Sequence, residues 1–339
     1  GLGMGLAIGR TIIEAHGGTL TARRNEGAGL TAAFDLAQRG HAVTVFEGLS
    51  HPGGMPRYGI PSYRLPYDRL DADIGVIEAM GVEIRCNHWV GRDSTIDQLH
   101  EQHDAVLLGL GLQMGRSTRL PGSDHPKVLR AVDLLRDITD ETRFEVPRRA
   151  MVIGGGNVAM DIARSLARLQ RERYGEVQMT VGALEDRAHF LADADEIREA
   201  EEEGVTILAS RGPRECLVED GELRGLLTWR VLSIFDEQGR FAPSYDDSDA
   251  QLHEADMVIE AIGQFSDTTL LGEELTEELE WQRGRLQVDD GCRSAVPWLW
   301  AAGDMVHGPD VVHAVADGHK AASSIHAYFE TLAQRETAA

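Results

Sequence analysis

The chain has 339 residues, enough for two domains with cores of their own, and its 42% hydrophobic and 26% charged composition is that of a globular protein. A formal net charge of −23 disfavours nucleic acid and anionic membrane as partners. It also leaves any phosphorylated ligand to be held by backbone N–H groups and helix ends. Cys86, Cys216 and Cys292 stand far apart with no C-x-x-C, which excludes a vicinal dithiol and shows no iron–sulfur or zinc ligand set. A reduced, cytoplasmic setting is expected. No run is long and apolar enough to span a bilayer, and no secretory signal is read.

In chain order, Thr19-Leu-Thr-Ala-Arg-Arg24 reads as an amphipathic strand before Gly27-Ala-Gly29. A helix is expected from about Leu30 to Arg39, then a buried strand over 41–47 that ends in Glu47. Pro52-Gly-Gly-Met-Pro and Tyr58-Gly-Ile-Pro61 mark a turn-rich loop. A helix over 67–80 and strands at Val82–Arg85 and Ala105–Leu110 close this first series. A second series opens at Pro147–Ile153, with a helix from Val158 to about Arg171 and strands at Gln178–Val181 and Val205–Ala209 around an acidic helix at 195–203. Residues 214–260 read as antiparallel strands, with hairpin signals at Glu219-Asp-Gly and Glu237-Gln-Gly. Strands at Met257–Ile262 and Trp298–Ala302 and a closing helix over 311–332 follow. Two alternating β-α-β blocks imply an α/β fold with two open parallel sheets.

The most informative stretch is Met151-Val-Ile-Gly-Gly-Gly-Asn-Val-Ala-Met-Asp161, a short apolar strand running through glycines into a helix. Gly154-x-Gly156-x-x-Ala159 is the G-x-G-x-x-A form of the dinucleotide fingerprint. Gly154 permits the tight turn, Gly156 lets a pyrophosphate approach the backbone, and Ala159 lets the helix pack close to its strand. The helix N-terminus supplies N–H groups and a positive dipole end. A glycine triplet alone also occurs as a packing turn; the strand before it and the helix after it favour a nucleotide site. The second signal is the strand ending Ala302-Gly303-Asp304, where an acid at a strand's carboxyl end can accept from a ribityl or ribose hydroxyl. The bland alternative is a strand-end turn.

Weaker features have plainer readings. His100 and His103 have H-x-x-H spacing without a third ligand, so a solvated helix face is expected rather than a metal. His307 and His313 are expected to make structural hydrogen bonds, the acid run Glu199–Glu203 to be helix surface, and the cysteines to be small core residues.

Residues 27–330 resemble the FAD- and NAD(P)H-binding part of glutamate synthase small (β) subunit-like oxidoreductases. The matching phrases are Gly40-His-Ala-Val-Thr-Val-Phe-Glu47, Pro52-Gly-Gly-Met55, Tyr58-Gly-Ile-Pro61 with Tyr63-Arg-Leu-Pro66, Ile153 to Asp161, Ala261-Ile-Gly-Gln264, and Ala301-Ala-Gly-Asp304 with Gly308-Pro309. The resemblance implies two Rossmann-like dinucleotide-binding domains, with the FAD domain split in sequence by an inserted NAD(P) domain. The boundaries would be 27–145 and 266–339 for FAD and 146–265 for NAD(P). Gly27 and Gly29 would belong to the FAD fingerprint, and Glu47 would bind the adenosine ribose, as an acid ending the second strand is placed to do. Gly53, Gly54 and Met55 would approach the flavin's phosphates, with Asp304 and Val312 along ribityl and isoalloxazine. Gly154, Gly156, Asn157, Val158 and Ala159 would hold the NAD(P) pyrophosphate, with Gly263 and Gln264 on the nicotinamide side. Nicotinamide would stack on flavin, and electrons would leave to a separate acceptor subunit or iron–sulfur protein.

Three departures stand out. The 27–33 fingerprint is two residues short of G-x-G-x-x-G, with Glu26 beside it, which motivates a second reading: a cofactor-impaired fusion or truncated pseudoenzyme that retains only NAD(P) binding. Residues 1–26, with Gly1-Leu-Gly-Met-Gly and Ile13-Glu-Ala-His-Gly-Gly18, resemble the ATP-lid glycine box of sensor histidine kinases. The kinase's other boxes do not precede it, so no ATP site is expected. Lastly, Val181-Gly-Ala-Leu-Glu185-Asp-Arg187 stands where the family often has an Arg pair. Glu185 accepts from a free 2′-OH and repels a 2′-phosphate, with Arg187 in partial compensation, so NADH is expected over NADPH; alternatively Glu185 is a solvated loop acid.

Overall fold

A computed structural model describes residues 27–338 apart from 143. The strand expected at 19–24 and the kinase-like glycine box lie outside the described residues. Those described divide into two compact units, one formed by 115–264 and the other by 27–114 with 265–338.

The first stretch of the two-part unit carries α1 (Ala28–Gln38), β1 (Thr44–Phe46), α2 (Gly54–Tyr58), α3 (Tyr67–Ala79), β2 (Glu83–Arg85), α4 (Ile96–Gln102) and β3 (Val106–Leu108). The 115–264 unit carries β4 (Val128–Arg130), α5 (Ala131–Thr139), β5 (Ala150–Ile153), α6 (Asn157–Tyr174), β6 (Met179–Gly182), α7 (Ala194–Glu202), β7 (Thr206–Leu208), β8 (Arg211–Glu219), β9 (Glu222–Phe235), β10 (Phe241–Glu254) and β11 (Met257–Glu260). The chain then returns with α8 (Gly272–Glu278), β12 (Trp281–Gln282), β13 (Arg285–Leu286), β14 (Leu299–Ala301) and α9 (Val311–Ala338).

In the 115–264 unit, five parallel strands run in the order β4-β11-β5-β6-β7. The fingerprint strand is thus central in a parallel sheet with the helices α5, α6 and α7 on one face and an antiparallel sheet on the other. Both β5 and β11 are buried at every position, because both sheet faces are covered. Side-chain alternation divides them: Ala150 and Val152 face a cluster with Ile162, Ala163 and Leu166 of α6, while Met151 and Ile153 face Cys216, Leu223 and Leu226 of the antiparallel sheet. That sheet has the order β10-β9-β8. Its first turn is Asp220-Gly221, with φ of 53° and 78°, the paired positive values of a tight hairpin that Asp-Gly favours. Its second is held by Asp236, whose carboxylate accepts from the N–H groups of Gln238 and Arg240. Helix α6 runs three residues beyond its expected end, to Tyr174, and stops at Gly175 in the left-handed conformation, φ 75°.

The two-part unit presents two parallel pairs, β1 with β2 and β3 with β14. Helix α1 packs on both. Its Leu30, Ala33 and Phe34 join a cluster with Val43 and Val45, and its Ala28, Ala32 and Leu36 join Trp300, Ala302 and Ala321. The expected 52–61 loop differs: residues 54–58 form the short helix α2. Its Pro56 falls in the first turn, where a missing N–H costs nothing, and five residues are too few to show a period. Tyr58 anchors it, buried, with its hydroxyl bonded to Ser50 and to the His51 N–H.

Two further expectations are corrected. His100 is half-buried and stacked on Trp298, with ring centroids 4.0 Å apart, rather than on a solvated face. The acid run of α7 is more than surface: Glu199 and Glu203, with Glu196, converge on the buried Arg164 of α6 at 2.7, 3.0 and 2.7 Å respectively.

Candidate dinucleotide sites in the two units

In the 115–264 unit the glycine turn is compelled by its neighbours. Gly154 has φ 138°, and a Cβ there would stand 2.4 Å from the Ala261 carbonyl oxygen, next to the end of β11. Gly156 is the N-cap of α6 and has open space where a side chain would project. The backbone above the helix N-terminus is therefore approachable, which is what a pyrophosphate needs. Ala159 is fully buried and Val158 half-buried. Asn157 is differently employed: its side chain accepts from the Asp193 N–H at 2.8 Å and donates to the Asp193 carboxylate at 3.2 Å. It ties the loop before α7 to the start of α6, leaving its backbone to face a ligand.

The Glu185 carboxylate reaches back over this turn. Its Oε2 lies 2.9 Å from where a Cβ on Gly155 would be, so the acid follows the end of β6 and hangs beside the glycines. Arg187 points elsewhere and pairs with Glu201 at 2.5 Å. Gly263, φ 103°, sits against the Arg116 side chain and accepts from the Arg116 N–H at 2.9 Å; Gln264 is the last residue of the unit.

Sequence reasoning missed Glu260. Its side chain is fully buried at the carboxyl end of β11 and pairs with Arg130 at 2.9 Å. It accepts from the Thr118 N–H at 2.7 Å and from the Thr118 hydroxyl. It fixes residues 117–118 beside Ala261, the residue that dictates Gly154. An acid in an apolar strand was the available signal, since such a group is buried only with partners.

In the two-part unit, Gly27 caps α1 at φ 155°, and Gly29 packs so closely on Gly109 that a Cβ on Gly109 would lie 3.2 Å from the Gly29 Cα. Gly303, φ 79°, lies over Ala28, whose Cβ would be 3.0 Å from a Cβ on Gly303. The structure thus brings the start of α1 and the Gly303-Asp304 turn together. Asp304 is the distinctive group there. Burial raises its pKa, against the pull of the Asp310 N–H, and its Oδ1 is buried without a hydrogen-bond partner. An orphaned buried oxygen is costly unless a ligand satisfies it. Glu47 follows β1 and accepts from the Leu49 N–H at 2.9 Å. Gly53 has φ 126°, and a Cβ on it would meet Leu70 at 3.0 Å, so α3 also demands glycine there. Gly54, φ 55°, has open space, and Met55 is half-buried, its carbonyl capping α2 through Gly59. Val312 lies in the first turn of α9 with 69% exposure.

The histidines nearby are tied by carboxylates. His307 Nδ1 bonds the buried Asp317 at 2.8 Å, and that carboxylate also accepts from the Gly303 N–H at 3.3 Å. His313 bonds Asp310 at 2.5 Å; burial pushes the Asp310 carboxyl up, but the backbone and ring hydrogen bonds from His313 outweigh it and hold the group below the usual carboxylate range. Burial pushes the Cys216 thiol up to about 12 and that of Cys292 to about 11. Among the described residues no group of three or more His, Cys, Asp or Glu side chains could hold a metal ion.

A parallel sheet with an approachable glycine turn, and a second unit whose strand-end acid keeps one buried oxygen unpartnered, define a dinucleotide-binding α/β fold. The sequence profile of the "Pyridine nucleotide-disulphide oxidoreductase" family matches residues 26–318, and the chain belongs to that family of pyridine nucleotide-dependent flavoprotein oxidoreductases. It is 38% identical, over 89% of its length, to the "NADP(+)-dependent formate dehydrogenase subunit beta" of Moorella thermoacetica. To the "NAD-dependent dihydropyrimidine dehydrogenase subunit PreT" of Escherichia coli K12 it is 36% identical over 89% of its length. To the "Glutamate synthase [NADPH] small chain" of Azospirillum brasilense it is 30% identical over 92%. The chain spans 42% of the first of these relatives and 66% of the other two. Among solved structures, Mycobacterium tuberculosis FprA in complex with NADPH superposes with a TM-score of 0.73 at 18% identity, over 92% of this chain and 84% of that one. Thioredoxin reductase of T. acidophilum gives 0.63 at 18%, over 89% and 95%. At that identity both speak for the fold.

Proposed function

We propose that the chain takes electrons from NADH through FAD to a separate acceptor, an iron–sulfur subunit or protein. The observation that carries the reading is the unpartnered Oδ1 of Asp304 beside the Gly303–Ala28 junction, an acceptor in want of a ribityl hydroxyl. The bound cofactors supply the redox chemistry, hydride passing from nicotinamide C4 to flavin N5. The chain's residues supply binding and alignment. Asp304, with Gly27, Gly29, Glu47, Gly53, Gly54, Met55 and Val312, would hold FAD. The backbone of Gly154 to Ala159 would hold the dinucleotide pyrophosphate, with Gly263 and Gln264 toward the nicotinamide. Glu185 supports the choice of NADH: its carboxylate beside Gly155 is placed to accept from a 2′-OH and to repel a 2′-phosphate, while Arg187 is engaged by Glu201. The relatives are named as subunits or as a small chain, which supports a partner protein as acceptor. A reduced cytoplasmic setting goes with free cysteines. No helix among the described residues is long and apolar enough to cross a membrane.

The absorbance spectrum of the purified chain, before and after FAD and then NADH are added, tests this. Flavin bands that bleach with NADH are expected. A chain that binds NADH yet takes up no flavin is the pseudoenzyme of the second reading, which the shortened 27–33 fingerprint favours.

A further inference from the structure

Beside the Gly303–Gly308 loop, a cavity of about 360 Å³ opens between the β12–β13 hairpin and residues 306–307. Its polar lining is Gln282, Arg283, Arg285, Gln287 and His307, with no carboxylate among its lining residues. In a chain with 56 acidic and 33 basic residues, such a lining is against the overall trend.

Three of these groups are tethered: Arg285, His307 and Gln287, whose Nε2 donates to the Arg285 carbonyl at 3.3 Å. Arg285 donates to the carbonyls of Val306 and Gly308 at 3.4 and 2.7 Å, clamping the backbone on either side of His307. The His307 ring is fixed by Asp317, whose side chain is only 2% exposed, while the ring itself is 51% exposed. With Nδ1–H donating to Asp317, Nε2 is the ring atom left to meet a ligand, and it donates to an oxyanion in the doubly protonated form of the ring. Asp317 is in turn engaged by Lys320 at 3.4 Å and by the Gly303 N–H. Arg283 has no described carboxylate within ion-pairing distance. It occupies the first position of the two-residue turn Arg283-Gly284 with φ 52°. Asn, Asp or Gly is the favoured residue at such a position, so an arginine there is conformationally disfavoured. A guanidinium without an acid, a fixed imidazole and two amides converge on one volume, which is within the size range of small-molecule sites.

We propose that this cavity binds a small oxyanion, a phosphate- or carboxylate-bearing metabolite, through Arg283, His307 and the Gln282 and Gln287 amides. Arg283 and His307 are the charged and ring contacts, and Arg285 is a positioning residue that acts through the 306–308 backbone. Through Asp317 the bound anion is linked to the Gly303 N–H. The proposal does not require the flavin assignment.

Titration calorimetry on the full chain, with inorganic phosphate and separately with malonate, tests the proposal in the presence and absence of FAD. The variants are R283G, which removes the guanidinium while suiting the positive φ, and H307Q. Both positions are exposed, so unchanged thermal unfolding would certify the fold. Saturable binding of one or both anions is expected, weakened about tenfold or more by each variant, as loss of one charge-assisted hydrogen bond implies. Binding of phosphate alone identifies a phosphate ligand, of malonate alone a carboxylate ligand, and of both a general oxyanion site. The proposal is overturned if neither anion binds at tens of millimolar, or if both variants bind as the parent does. It also fails if FAD displaces the anion, because the cavity would then be part of the cofactor's own cradle. Failure of FAD to bind at all, with anion binding intact, would instead count against the function proposed above.

Discussion

At the residue scale, two carboxylates have opposed tasks. Asp304 is half-buried, with one buried, unsatisfied oxygen and a raised pKa, so its ionised form costs the unliganded fold stability at neutral pH. A raised folded value means that the stability is fully present below the unfolded value and lost as pH rises through the folded one. The isosteric D304N, neutral throughout, is expected to unfold at a higher urea midpoint than the parent at pH 7 without flavin. The same change should weaken FAD binding by about tenfold or more, the worth of a hydrogen bond to a charged group. Fluorescence titration with FAD reads the second effect; equal affinity would remove Asp304 from the site. Glu185 faces the other cofactor. Because its carboxylate overhangs Gly155, E185R is expected to shift the NADH-to-NADPH ratio of kcat/KM toward NADPH by about tenfold or more, since a like-charge clash is replaced by an ion pair. Stopped-flow flavin reduction with each coenzyme measures it, and an unchanged ratio would make Glu185 a solvated loop acid.

At the element scale, α6 and α7 are joined by an arginine rather than by apolar contact alone. Arg164 has a side chain 4% exposed and meets Glu196, Glu199 and Glu203. R164A breaks the buried pair with Glu196, itself 4% exposed, and is expected to cost about 3–5 kcal/mol in urea unfolding, the usual penalty for removing one partner of a buried pair. R164M together with E196L is expected to recover most of that, as a matched apolar replacement does. The sequence showed the acids of α7 and the arginine of α6 but not that they meet, since helix pairing lies outside local periodicity. Hairpin turns were legible for the opposite reason: Asp220-Gly221 encodes its own positive φ values locally. The short α2 was not, because its ends are set by Tyr58 reaching Ser50 and His51 rather than by a repeat.

At the scale of the whole molecule, acid should unfold the chain by protonating its paired carboxylates. Burial pushes Glu203 up, yet hydrogen bonds from Arg168 and Arg164 outweigh it and hold the group below the usual range. Asp256, likewise opposed by burial, is held down by Arg149. Depressed folded values give stability that is present above the unfolded carboxylate value and lost as pH falls through the folded one, so the loss is expected below about pH 4. Circular dichroism from pH 7 to 2 should show a cooperative loss in that window. A transition above pH 5 would assign acid unfolding to histidine instead.

The strand–glycine–helix order, both hairpin turns, the series of parallel strands and the glycines at 154 and 303 were determined by the sequence alone. Each rests on a local requirement: a two-residue or 3.6-residue period, or a φ that only glycine adopts freely. Where Glu185 hangs, that Asp304 Oδ1 lacks a partner, that Glu260 is sealed beside Ala261, and that Arg283 and His307 share a cavity were decided only by tertiary structure. Those are meetings of residues distant along the chain, and burial, which gives a charge its chemical value, is a property of the assembled core.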